Sequence, residues 1–218
     1  MSATADPVIG RNLPRRDAVD KLRGRTRYVV DRRERGTRVC ALRRADVACG
    51  TIARLDITPA LAVPGVRAVI TGEDAPGLYG VGIADHPLLA RDVVRHYGEP
   101  LAAVAADTPE AARAGADAIE VEIDPRAPLV TMADAVAPGA PLIHPDGESY
   151  EVLIPVGAAR RGNIAWEATT VRGDVDAAFS RDDVTIVEGR YVSGRQNQAS
   201  FEPRVAIGHY ENGRYVVE

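Results

Sequence analysis

One segment limits the fold of this chain more than any other, the stretch from residue 101 to residue 124. It opens with residues 101–106, which are apolar on both faces, as expected for a central strand covered on both sides. Thr108, Pro109 and Glu110 then supply a helix cap, a proline for the first helical turn and an acid near the positive helix end. A buried strand that leads directly into a helix is therefore predicted.

The same segment continues with a second strand. Residues 111–118 contain small alanines, which allow the helix to pack closely on a sheet. Residues 119–124 alternate strictly between apolar and acidic side chains, so one face of this strand is expected to be exposed to solvent. A strand of this kind is expected to pair antiparallel with a neighbour. A strand, a helix and a strand without long parallel repetition favour an α+β domain.

The sequence before this segment predicts a further strand pair and a short helix. Residues 37–43 alternate as a strand does, and residues 51–56 are its expected partner. Thr58 is a candidate cap for a short helix over residues 58–63. Residues 66–71 form a compact apolar run, which predicts another strand.

Prolines, including Pro155, recur throughout residues 125–173, and this proline content predicts an extended connecting segment. Asn212 and Gly213 lie between apolar runs and indicate a hairpin. The returning strand reaches Glu218 without a cap or turn, so we expect the chain to be cut from something longer or completed by another polypeptide. The other predicted elements are helices at 132–136 and 173–179 and strands at 184–192, 204–210 and 214–217.

Charge is distributed unevenly along the chain. Residues 11–44 hold 12 arginines and one lysine against four acids, a net charge of +9, although the whole chain carries −4. This basic segment is either a strap that docks on an acidic partner or phosphate, or a solvated extension with internal ion pairs. Few aromatic residues interleave its arginines, so no nucleic-acid partner is expected. No signal peptide or membrane-length apolar stretch is present, so we expect a cytoplasmic protein without a membrane partner.

Residues that could carry chemistry are few and scattered. Cys40 and Cys49 lie in apolar sequence and are interpreted as reduced core residues. The glycine-rich residues 77–82 match neither a phosphate loop nor a dinucleotide fingerprint and predict a flexible loop. Asp174 and Asp176 are better explained by helix capping than by calcium binding. None of the four histidines has metal-ligand spacing; they are His86, His96, His144 and His209.

Three groups of residues occur in a fixed order along most of the chain. Residues 10–31 contain Arg-x-Asp, then Lys-x-x-Gly, then Tyr-x-x-Asp, and residues 53–74 and 87–112 follow with their own motifs. In order and spacing these groups resemble the N-terminal part of the molybdenum-cofactor subunit of the xanthine dehydrogenase and aldehyde oxidase family. The resemblance implies an α+β fold, with an α/β hammerhead domain at 36–137 after an N-terminal extension at 1–35. It further implies an extended linker at 138–172 and the first strands of an incomplete molybdopterin-binding domain at 173–218.

Two stretches depart from the family pattern. Gln198 and Phe201 stand where a His-x-x-Met-Glu-Pro-type stretch has His and Met, in the run that ends with Glu202 and Pro203. We interpret Gln198 and Glu202 as residues that bridge strands or satisfy buried backbone. Residues 44–49 replace the usual Arg-Ser-Pro-x-Ala-His, which puts the local turn and an inter-subunit contact in question.

The resemblance implies hydroxylation of an aldehyde or of a carbon next to nitrogen, with molybdopterin-bound molybdenum, iron–sulfur clusters and FAD in the full complex. In the family the cofactor-binding loops and the catalytic glutamate lie beyond the residues that this chain matches. We therefore expect no catalytic, cofactor-binding or metal-binding residue here, and no activity or cofactor binding by the chain alone. The expected partners are the remaining molybdopterin-binding domain or subunit and the iron–sulfur and flavin subunits. The alternative is a free-standing, non-catalytic hammerhead module that acts as a scaffold.

Overall fold

The computed structural model describes residues 10–32, 34–154, 161–167, 169–200, 202 and 204–218. The chain divides into two compact units, residues 37–187 and residues 1–36 with 188–218. The strands of the larger unit are β1 (Val39–Arg44), β2 (Gly50–Asp56), β3 (Val66–Thr71), β4 (Leu78–Tyr79), β5 (His86–Pro87), β6 (Val93–Val94), β7 (Pro100–Ala106) and β8 (Glu120–Pro125). Its helices are α2 (Thr58–Leu61), α3 (Pro109–Ala118), α4 (Met132–Val136) and α5 (Val175–Phe179). The other unit contains α1 (Ala18–Leu22), β9 (Gly208–Glu211) and β10 (Arg214–Val217).

The first sheet has the order β1-β7-β3, with both pairs antiparallel. The prediction that residues 101–106 form a central strand is confirmed, because β7 lies between the other two strands. The predicted pairing of residues 37–43 with 51–56 is wrong, because β1 pairs with β7 and β2 joins a different sheet. The apolar β7 buries more apolar surface in the middle of the sheet than the half-polar β2 would, which explains why β1 pairs with β7 and not with β2.

Helix α3 covers one face of this sheet and begins as the sequence predicts. The Thr108 hydroxyl accepts a hydrogen bond from the Ala111 amide at 3.1 Å, and Pro109 occupies the first turn. The buried face of the helix consists of small residues that pack towards Ala102 and Val104 of β7. The helix can therefore approach the sheet closely, as the alanine-rich sequence implies.

Removal of this cap gives a direct test of the helix start. Thr108→Ala leaves the Ala111 amide without its side-chain acceptor, and we expect a loss of about 1 kcal/mol in the free energy of unfolding. Urea denaturation monitored by circular dichroism measures the change. Thr108→Ser restores the acceptor and serves as the control; equal stability of the alanine and serine variants would contradict the assignment.

The second sheet has the order β6-β2-β8, and one of its faces is exposed to solvent. β8 pairs antiparallel with β2, which confirms the prediction for residues 119–124. On the solvent-exposed face, Arg54 donates to Glu122 at 2.8 Å and to Glu120 at 2.7 Å. The opposite face packs Val121 and other partly buried apolar side chains against the core.

Two local predictions in this unit are wrong. Thr58 does not cap α2, because it is the first residue of the helix; the Asp56 carboxylate accepts from the Thr58 amide at 2.9 Å, and the helix ends at Leu61 and not at residue 63. Residues 77–82 are not only a loop, since Leu78 and Tyr79 pair with His86 and Pro87 in the short ladder β4–β5.

The helices predicted at 132–136 and 173–179 are confirmed, the second of them over Val175–Phe179. α4 spans the predicted residues, and Thr131 with Asp134 forms a reciprocal capping box at its start. α5 begins after Asp174, whose carboxylate accepts from the Ala177 amide at 2.8 Å. Pro155, one of the prolines that mark this segment, lies outside the described residues.

The smaller unit contains the predicted hairpin. Glu211 pairs with Arg214, and the two turn residues Asn212 and Gly213 have φ angles of 49° and 79°, as a type I′ turn requires. β9 begins at Gly208 and not at residue 204 as predicted. The predicted strand at 184–192 is wrong; these residues are exposed and lack a neighbouring strand among the described residues, and an unpaired strand leaves its backbone donors and acceptors unused.

Candidate functional site

A short loop over residues 95–99 is fixed by its backbone and by one buried carboxylate. The Ala45 amide donates to the Glu99 carbonyl at 2.9 Å, and the Gly98 amide donates to the Ala45 carbonyl at 3.0 Å. The Glu99 side chain is 4% exposed, and it accepts a hydrogen bond from the Arg95 amide at 2.5 Å. A buried carboxylate with a backbone donor holds the loop in one conformation.

Residues 44–49 connect to this loop through a short turn. Ala45 is buried, and its backbone makes both hydrogen bonds to the loop. Arg44 adds a hydrogen bond from its Nη1 to the Gly98 carbonyl at 2.9 Å. The turn therefore depends on backbone groups that any small residue supplies.

Strand pairing brings two arginines from distant parts of the sequence together. β2 lies between β6 and β8, and Gly50 pairs with both Val94 and Pro125. Arg95 and Arg126, the residues that follow these partners, therefore both lie near Cys49. The Arg126 amide donates to the Cys49 carbonyl at 2.9 Å.

Next to these arginines is a cavity of about 470 Å³, here called the Arg95 groove. Its walls include Cys49, Val93 and Arg95 from one part of the sequence and Leu129, Val130 and Leu142 from another. Arg95 links these two parts, because its Nε donates to the Ile143 carbonyl at 3.3 Å. The volume is in the range of small-ligand and peptide-side-chain sites.

The charged side chains that line the Arg95 groove are basic. They are Arg95 and Arg126; His96 and Tyr97 also line the groove, and its described lining contains no aspartate or glutamate. Among the described residues, none gives the Arg126 side chain a hydrogen bond or ion pair. The groove thus combines an apolar surface with uncompensated positive charge.

The four histidines are separate in the structure, each with its own nearby partner. His144 Nδ1 lies 3.2 Å from the Tyr150 hydroxyl, and His86 Nδ1 lies 2.5 Å from the Asp85 carboxylate. His96 Nδ1 lies 3.1 Å from the Tyr97 carbonyl, and His209 Nε2 lies 3.8 Å from a Glu211 oxygen. Within the described ranges, no three His, Cys, Asp or Glu side chains come together as metal ligands, so this part of the chain offers no donor set for a metal centre.

The interpretation of both cysteines as core residues is wrong. Cys40 is exposed and Cys49 is half-buried, and both are free thiols. Cys40 pairs with Ala105 in an edge strand, while α3 covers the other face through Ala102 and Val104. The alternation of β1 therefore turns Cys40 away from the core.

The family-like run near residue 200 is exposed. Gln198 and Glu202 are both exposed, so the interpretation that they satisfy buried backbone is wrong; neither is packed under another element. Phe201 and Pro203 lie outside the described residues.

Many charges of the basic segment pair with nearby acids. Asp17 contacts Arg15 and Lys21, and these hydrogen bonds lower the pKa of its carboxyl to about 2. In the larger unit, Asp107 lies between Arg38 at 3.1 Å and Arg67, whose Nε donates to it at 2.8 Å. The bond from Arg67, with a smaller contribution from Arg38, holds the pKa of the Asp107 carboxyl below its usual value.

This cluster predicts how stability depends on pH. Because the pKa of Asp107 is lower in the folded than in the unfolded state, its contribution is complete above about pH 4 and is lost as the pH falls further. We expect the thermal unfolding midpoint to decrease as the pH falls below that value. Asp107→Asn should remove a few degrees of this decrease at most, because Arg67 is exposed and Asp107 is only half-buried. Calorimetry across the acid range, with the exposed Asp117→Asn as control, measures it. Identical pH profiles for the wild type and Asp107→Asn would contradict the prediction.

Sequence reasoning did not identify Glu99, Arg95 or Arg126 as site residues. The run Gly98-Glu99-Pro100 was a usable signal, because a glutamate directly before a buried strand must be paired or solvated. Arg95 and Arg126 are 31 positions apart, and only the shared strand β2 brings them together.

Comparison with known proteins identifies the fold. Residues 23–127 match the family model for the a/b hammerhead domain of aldehyde oxidase and xanthine dehydrogenase. Nicotinate dehydrogenase large molybdopterin subunit from Eubacterium barkeri is 31% identical over 94% of this chain and 45% of its own length. Aldehyde oxidoreductase from Desulfovibrio gigas has a TM-score of 0.55 and 33% identity over 61% of this chain and 16% of its own. CO dehydrogenase from Oligotropha carboxidovorans has a TM-score of 0.58 and 28% identity over 63% of this chain and 18% of its own.

These matches identify residues 23–127 as an α+β hammerhead domain of the aldehyde oxidase and xanthine dehydrogenase type, as predicted. Over nearly its whole length the chain resembles a molybdopterin subunit of these enzymes. It spans less than half the length of the Eubacterium subunit. Among the described helices, none combines the length and apolar character needed to cross a bilayer.

Proposed function

We propose that this chain is the N-terminal portion of the molybdopterin subunit of a molybdenum hydroxylase, an oxidoreductase that hydroxylates an aldehyde or an N-heterocycle. The observation that carries the proposal is the 94% of the chain that aligns with a molybdopterin subunit, well beyond the hammerhead match at 23–127. The fold of the larger unit and its likeness to aldehyde oxidoreductase support the same function.

The chain's own residues contribute structure and not a chemical step in this proposal. In hydroxylases of this type, the bound molybdenum cofactor supplies the oxygen that is transferred and accepts the electrons. The described histidines, cysteines and acids do not assemble into a metal-binding set, so we assign no step to them. We therefore expect the isolated chain to be inactive and to bind none of the cofactors alone.

The proposed organisation follows the sequence expectation. An extension at 1–35 precedes the hammerhead domain at 36–137, and an extended linker at 138–172 leads to the start of the molybdopterin-binding domain at 173–218. The partners are the rest of the molybdopterin-binding domain or subunit and the subunits that carry iron–sulfur clusters and FAD, in the cytoplasm. The relative's designation as a large molybdopterin subunit supports an assembly of several chains.

Purification of the tagged chain from its native host tests this function. Mass spectrometry identifies the co-purifying polypeptides, and the molybdenum content is measured in the same eluate. We expect a molybdenum-containing polypeptide together with iron–sulfur and flavin subunits. A chain that elutes alone, folded and without molybdenum overturns the hydroxylase function and leaves the scaffold module.

A further inference from the structure

We propose that the Arg95 groove is the docking site for the part of the molybdopterin subunit that this sequence does not span. The docking segment presents a carboxylate beside apolar side chains. This inference rests on the proposed function and adds to it the surface at which the two parts meet. The groove's apolar walls, its charge and its fixed backbone, together with the length of the related subunits, support this docking site.

The walls of the groove expose apolar side chains that a finished protein normally covers. Val130 is 81% exposed and Leu142 is 50% exposed, although both line a concave surface. Exposed apolar residues that gather at one concave site indicate an interface. Covering them removes apolar area from water and supplies the favourable free energy of docking.

The charge of the groove determines what kind of segment fits. The Arg126 side chain has no hydrogen-bond or ion-pair partner among the described residues, and no described lining residue is acidic. An apolar segment alone would bury this guanidinium without compensation, which is costly. A carboxylate in the segment forms a charge-assisted hydrogen bond with it and contributes specificity.

The groove is held in shape before anything binds. The Arg126 amide bonds to the Cys49 carbonyl, the Arg95 amide bonds to the buried Glu99, and the Arg95 side chain bonds to the Ile143 carbonyl. Both arginines are thus carried on fixed backbone. A rigid site loses little conformational entropy on binding.

The length of the related subunit and the charge of the groove indicate which partner binds in the groove. The chain spans 45% of the related Eubacterium subunit, so more than half of such a subunit lies outside the matched part and could pack against it. A second copy of this chain is a poorer fit, because a two-fold contact of groove on groove would bring together two basic linings that lack acids. The rest of the molybdopterin subunit is therefore the occupant to which we commit.

The test uses the assembly purified from the native host through a tag on this chain. The amount of retained molybdopterin polypeptide, identified by its peptides and by molybdenum, is measured for Arg126→Glu and for Val130→Asp. Matched controls are Arg113→Glu and Val81→Asp, which change exposed residues outside the groove. Both groove positions are exposed, so the variants are expected to fold, and an unchanged thermal midpoint verifies it.

We expect each groove variant to lower retention by about tenfold or more, while the two controls leave it unchanged. We also expect Arg126→Gln to reduce the salt sensitivity of retention, because it removes the charge and keeps most of the side chain's volume. If both groove variants retain as much molybdopterin polypeptide as the wild type, the docking site is wrong but the proposed function is not affected. If the variants lose self-association and keep the molybdopterin polypeptide, the groove binds a second copy and the docking proposal is wrong. If the wild-type chain retains no molybdopterin polypeptide, both the proposed function and the docking site are wrong.

Discussion

Leu101→Ala is expected to lower the free energy of unfolding of this chain by about 2–5 kcal/mol. Leu101 is fully buried in the central strand β7, where it packs with Ala45, Ala90 and Val94. Its neighbours are small or lie on strands, so they cannot move to fill the space that the truncated side chain leaves. The loss therefore combines the transfer free energy of the removed carbons with that of a residual cavity.

Urea denaturation of the wild type and the variant measures this loss. Leu88→Ala is the matched control, because Leu88 is 56% exposed and makes no part of the core clusters. We expect the control to cost less than about 1 kcal/mol. A cost for Leu101→Ala no larger than that of the control would show that β7 is not the centre of the core.

Gly115→Val is expected to destabilise the chain by about 1–3 kcal/mol, through overpacking and not through a cavity. A Cβ at Gly115 would lie 2.8 Å from Val104 Cγ1 and 2.8 Å from Val66 Cγ2. Both neighbours are β-branched and stand on strands of the first sheet, so neither can rotate away freely. Helix α3 would have to lift from the sheet that it covers.

Ala114→Val is a close control for this substitution, since it introduces the same side chain one position earlier on the exposed face of α3. The control changes helix propensity by less than about 1 kcal/mol and leaves the packing intact. Thermal unfolding of the two variants separates the effects. Equal destabilisation by both would mean that the helix does not approach β7 and β3 closely.

Local sequence signals predicted most helices and strands, because their causes are contiguous in the chain. Thr108 caps α3, the capping box of Thr131 starts α4, and Asn212 with Gly213 turns the last hairpin. The failures have non-local causes. β1 pairs with β7, about 60 positions away, and residues 184–192 have no partner strand among the described residues, because the alternation of a sequence does not provide one.

The Arg95 groove could not be predicted from the sequence for the same reason. Arg95 and Arg126 meet only because Gly50 of β2 pairs on both sides, with Val94 and with Pro125. The family resemblance, by contrast, was readable, because it depends on ordered motifs. It led to the hammerhead fold directly, whereas composition and spacing alone led only to an α+β domain.

The central claim is that this chain works as part of a molybdopterin subunit. Size-exclusion chromatography of the natively purified assembly, with molybdenum and this chain quantified in every fraction, tests it most directly. We expect molybdenum and this chain to co-elute at a constant, roughly equimolar ratio, at a size well above that of the single chain. Elution of the chain at its own size, in fractions that contain no molybdenum, would contradict it.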